Sequence, residues 1–143
     1  MSTKQGFDTF RHLLVNLCIK LNYSFFLPVE DKNPKGIYGL TPFHIAAREG
    51  HLEICKLIIS KIKNKSPKDN FGWTPLHYAT LKRHYNVCQF LVSTIKDPNP
   101  KNLFGQTPLD FALDNNDTKL IHLLSISVKI TNTEENLTTI LQI

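Results

Sequence analysis

The stretch NPKGIYGLTPFH, residues 33–44, returns with small changes as SPKDNFGWTPLH at 66–77 and as NPKNLFGQTPLD at 99–110. The interval is 33 residues both times. A chain that comes back to one local solution at a fixed pitch is stacking one supersecondary unit on itself. Three copies of that unit, 34–66, 67–99 and 100–132, hold the same residue at Pro34/Pro67/Pro100, Lys35/Lys68/Lys101, Gly39/Gly72/Gly105, Thr41/Thr74/Thr107, Pro42/Pro75/Pro108, Ala46/Ala79/Ala112 and Lys63/Lys96/Lys129. Other columns keep only their character, as Ile54/Val87/Leu120 and Ile58/Leu91/Leu124 do.

Each copy reads as two helices. Threonine followed by proline is an N-cap with proline at the first helical position. The short helix that follows carries a small alanine where a neighbouring helix must come close. Gly50 closes the first copy in a left-handed conformation, and Asn116 can do the same in the third. Arg83 holds that column in the second copy, where a side chain is strained. The second helix shows apolar residues at Ile54, Leu57, Ile58 and Ile62, and the pattern recurs one period later. Neither helix can enclose its own apolar face, so stacking must bury a continuous core along the array. The expected fold is an all-α solenoid of helix–turn–helix repeats joined by hairpin-like turns.

These residues resemble the ankyrin repeat: a GxTPLHxA start, a second helix of HLEICKLII type and a 33-residue pitch. Local departures are Gly36 where that family favours Asp or Asn, Phe43 for Leu, Asp110 for His and Arg83 for Gly. The resemblance implies repeats at 36–68, 69–101 and 102–130. Residues 1–35 then form a degenerate repeat or capping helix, with Phe10, Leu13, Leu14, Leu17 and Leu21 at helical spacing. Residues 131–143 form a C-terminal cap or tail, and Thr131 with Glu134 offers a capping box for a separate short helix.

Several function classes fit poorly. No apolar run is long enough to span a bilayer, and the N-terminal residues show no secretory signal. Three cysteines without such a signal argue for free thiols in a reducing compartment, cytoplasmic or nuclear. The net charge of +5 owes much to Lys61, Lys63, Lys65 and Lys68. That segment lacks interleaved aromatics and arginine forks, so nucleic-acid binding is disfavoured. His51 with Cys55, and His84 with Cys88, could place metal-capable groups on one helix face. Both pairs lie one period apart, and the family favours histidine at 44, 77, 51 and 84 for internal hydrogen bonding. No metal, cofactor, small-molecule substrate or catalytic residue is therefore expected.

What remains is a surface for a protein partner. Columns that vary inside a repeating unit are those the fold leaves free, and in ankyrin-type repeats they match the hairpin tips and the concave end of the first helix. Here they are Ile37, Tyr38 and Leu40; Asn70, Phe71 and Trp73; Leu103, Phe104 and Gln106; then Arg48–Glu49, Leu81–Lys82 and Asp114–Asn115. Exposed aromatic groups of this kind are favoured interface anchors, although the 38/71/104 aromatics could also pack tip against tip. The reading is a monomeric, non-catalytic adaptor or inhibitor. Its alternative is an ankyrin segment of a larger enzyme, receptor or channel. Two further expectations follow. Trp73 should be largely solvated, because its column also accepts Leu40 and Gln106. The third copy should be the weaker end, because Asp110 replaces the histidine.

Overall fold

The computed structural model describes residues 35–142. The N-terminal repeat or cap expected at 1–35 therefore lies almost wholly outside the described residues. Among the described residues one 3-10 turn at Ile37–Gly39 precedes six helices. They are α1 Pro42–Arg48, α2 Leu52–Ile59, α3 Pro75–Leu81, α4 Tyr85–Thr94, α5 Pro108–Asp114 and α6 Thr118–Leu141. Among the described residues there is no strand. The helices alternate in two layers: α1, α3 and α5 stack on one another, while α2, α4 and α6 form the second row behind them.

The threonine–proline step starts every first helix as its chemistry dictates. Thr41, Thr74 and Thr107 have extended backbones, and each side chain accepts from the amide three residues on. Each unit reverses direction at a residue with positive φ: Gly50 at +76°, Arg83 at +62° and Asn116 at +52°. Arg83 thus takes the left-handed conformation expected of its column. At Gly50 the absence of a side chain has a second use, because a Cβ there would lie 2.6 Å from the His84 ring. His84 sits close in order to bond the Arg48 carbonyl, Nε2 to O 2.9 Å, tying the second unit to the first.

The core runs along the stack. Phe43, Ala46, Cys55 and Ile58 from the first unit meet Leu76, Ala79, Val87 and Leu91 from the second, then Ala112, Leu120 and Leu124 from the third. The alanines are wholly buried or nearly so, which is what allows the first helices to approach closely.

One boundary differs from the expectation. Thr131 and Glu134 do not open a separate helix: α6 runs unbroken through both, and the Thr131 hydroxyl donates back to the Ser127 carbonyl at 2.9 Å. The reason lies in what precedes them. Residues 118–141 contain neither glycine nor proline, so nothing stops the helix at 130.

Candidate functional site

The hairpins that join the units are built on one side chain each. Asp69 is buried, and its Oδ1 accepts from the amides of Phe71 and Trp73, both at 2.9 Å. Its Oδ2 accepts from the Tyr78 hydroxyl at 2.6 Å. Asn102 repeats the arrangement, its Oδ1 accepting from the amides of Phe104 and Gln106 at 2.9 Å. Gly36 has no side chain to offer, so the first turn is closed by backbone alone, Gly36 N to Leu40 O at 2.7 Å. Successive tips are also linked, the Asn70 amide donating to Tyr38 O and the Leu103 amide to Phe71 O. The second link requires Gly72: with φ at +77°, a Cβ there would stand 2.8 Å from the Leu103 nitrogen.

Behind each of the first two tips stands a histidine that joins cap to hairpin. In the first unit the Thr41 amide donates to His44 Nδ1 at 3.1 Å, and Nε2 reaches the Trp73 carbonyl of the next hairpin at 2.8 Å. His77 does the same with the Thr74 amide and the Gln106 carbonyl, both at 3.0 Å. Nδ1 accepts and Nε2 donates, so both rings are neutral. Burial, the largest influence, holds both below the ordinary histidine range; their carbonyl partners oppose it only in part.

The sign of the pH dependence follows. An unfolded histidine titrates near 6.5 and these two titrate lower when folded, so below 6.5 the unfolded chain binds more protons. Stability should be complete above that pH and fall as the solution is acidified through it. Melting at pH 7.5 and at pH 5 checks this; a higher melting temperature at the acid value would contradict it.

The third unit corrects the expectation that Asp110 forfeits the histidine's bonding. Asp110 Oδ2 accepts from the Thr107 amide at 2.8 Å and from its hydroxyl at 3.0 Å, so the cap is intact. The histidines' outward bond has no counterpart here, because among the described residues α6 runs on to Leu141 and no further hairpin follows.

Trp73 requires a second correction. Its indole is not solvated but half-buried, with ring centroids 4.9 Å from both Tyr78 and Phe111. The neighbouring unit supplies Phe111 and so encloses a column that is variable in sequence. Trp73 therefore leaves the freely exposed set. Leu40 and Gln106 are half-buried too, and the Gln106 side chain accepts from Asn102 Nδ2 at 3.0 Å.

The remaining candidates fall along one edge. Tyr38, Asn70, Phe71, Leu103 and Phe104 are exposed at the tips, Leu103 by 74% and Phe104 by 70%. Tyr38 and Phe71 pack tip against tip, centroids 6.2 Å apart, yet both stay exposed. At the ends of the first helices, Leu81, Lys82, Asp114 and Asn115 are exposed, whereas Arg48 and Glu49 are half-buried and pair at 3.4 Å. Ile37 opens the first turn.

The cysteines of the second helices are absorbed by packing, while of the histidines that precede those helices His84 is engaged by the Arg48 carbonyl and His51 lies exposed. Cys55 and Cys88 are fully buried, and burial pushes the Cys88 thiol up to about 12, although the Thr80 hydroxyl acts against it. Among the described residues no three His, Cys, Asp or Glu side chains are grouped so as to hold a metal ion. Lys61, Lys63, Lys65 and Lys68 lie exposed along the connector after α2. No described helix is long and apolar enough to cross a membrane.

The stacked pairs, histidine ties and Asx-closed hairpins define an array of helical repeats. The family model for ankyrin repeats, three copies, matches residues 3–102, and the chain belongs to the ankyrin-repeat family. No curated protein matches the chain.

Proposed function

We propose that the chain is a non-catalytic module that binds another protein through its hairpin tips and the concave ends of its first helices, acting as an adaptor or inhibitor in the cytoplasm or nucleus. Ankyrin repeats are in general protein-interaction modules. The observation that carries the reading here is the row Tyr38, Phe71, Leu103 and Phe104. These large apolar groups stay exposed on tips that are rigid, because backbone and Asx bonds fix each one. A pre-ordered apolar row loses little entropy on binding, which is what an interface anchor needs. Service as the ankyrin segment of a larger enzyme, receptor or channel would use the same surface.

The test is comparative affinity capture with the wild type and with Leu103→Ala/Phe104→Ala. The double variant should melt within about 0.5 kcal/mol of the wild type per site. It should bind a partner recovered by the wild type at least ~30-fold more weakly, as loss of a hot spot of about 2 kcal/mol requires. Undiminished capture by a folded variant would reject the tips as the contact surface.

A further inference from the structure

Helix α6 is longer than its unit needs. Its inward face, Leu120 and Leu124, is spent within the stack, yet the helix continues to Leu141. Every residue from 132 to 142 is exposed. An extension of that length gains little from propensity alone in water and is ordinarily held by packing against something.

The outer face supplies that something with a seam. Ile126, Ile130, Thr133, Leu137 and Ile140 follow one another at intervals of four, three, four and three residues. This is the a/d spacing of a coiled coil, set on the face opposite Leu120 and Leu124. All five are exposed, Leu137 by 53% and Ile140 by 63%, and no charge interrupts the line. Around it the helix is polar, with Asn132, Glu135, Asn136 and Thr139 on the other sides. A narrow apolar stripe on an otherwise polar helix is the pattern of a two-helix seam rather than of a core helix.

The flanking charges select the occupant. With Ile130 and Leu137 at a and Ile126, Thr133 and Ile140 at d, Lys129 stands at g and Glu134 at the following e. Both side chains are exposed. In a parallel pair of identical helices a g residue meets the e residue five positions on in its partner. Lys129 of each copy then faces Glu134 of the other, twice by symmetry. An antiparallel pair sets e against e and g against g, bringing like charges together.

We propose that the outer face of α6 is a self-association surface, on which two copies of this chain pair in parallel through the 126–140 seam. The alternative is the monomer expected from sequence. Because the pairing uses the second-row helix, it leaves the hairpin tips free, so each assembly offers two contact edges. The first half of α6 is already anchored in the stack, so little chain has to be ordered on pairing.

Sedimentation of the full chain over a concentration series reaching about 0.2 mM tests this, since self-association must respond to mass action. The mass should rise toward that of a dimer. Leu137→Asp should abolish the rise while leaving the circular dichroism of the repeats unchanged. Lys129→Glu should weaken pairing about tenfold, and adding Glu134→Lys to it should restore pairing, because the attraction is reinstated with its signs exchanged. The charge exchange involves only exposed side chains, so it stays decisive even where an apolar substitution perturbs the helix. A monomeric mass throughout the series, or pairing indifferent to Leu137→Asp, would overturn the proposal. So would failure of the double exchange to recover what Lys129→Glu loses.

Discussion

His77→Ala is expected to destabilise the array by about 3 kcal/mol. The ring is fully buried and makes two connections at once, to the Thr74 cap and to the Gln106 carbonyl of the next hairpin. Alanine leaves the amide and the carbonyl without their partner, each worth about 1 kcal/mol or more, and opens a cavity beside Phe111, whose ring lies 5.7 Å away. His77→Asn separates the two losses. Like Asp110 in the third unit, asparagine can accept from the threonine amide, but it is too short to reach the next hairpin. It should therefore recover about 1 kcal/mol of the deficit, the value of a side-chain cap. Equilibrium denaturation of the three proteins reads both differences. Equal stability of the alanine and asparagine variants would mean that the cap contributes nothing at this site.

The second large effect belongs to Trp73. The indole lies against Tyr78 of its own unit and Phe111 of the next, so its removal exposes aromatic surface and loosens the joint between the units. Trp73→Ala should cost about 2 kcal/mol or more, short of a fully buried tryptophan because the residue is only half-buried. The free protein should also emit at shorter wavelength than a solvated indole and resist iodide. Ready quenching and an unchanged melting curve would return Trp73 to the open surface.

These two residues show what sequence carries and what it does not. The threonine–proline steps, the left-handed closures at Gly50, Arg83 and Asn116, and the alanine column are local decisions. Each could be read from a few adjacent residues, and each stands in the structure as read. The enclosure of Trp73 is not local. Only the stack brings Phe111 of the following unit to it. Variation in a column is not freedom in the fold.

Asp110 shows a different limit. A column suggests a single role, although the histidine has two nitrogens with two duties, and a carboxylate can keep one of them. Asp69 and Asn102 fill the column in which Gly36 departs from the family's Asp or Asn, and their grip on two amides apiece depends on the hairpin being folded. The capping-box pattern at Thr131 starts no helix, because a start signal means little where nothing has ended the helix before it.

The central claim is that stability runs through the interior ties while the tips stand apart from it. One set of equilibrium melts, on wild type, His77→Ala, Trp73→Ala and Phe104→Ala, tests that most directly. Phe104→Ala should coincide with the wild type to within about 0.5 kcal/mol, Trp73→Ala should fall clearly below it, and His77→Ala lower still. A Phe104→Ala variant as unstable as Trp73→Ala would show the tips to be part of the core and contradict the division.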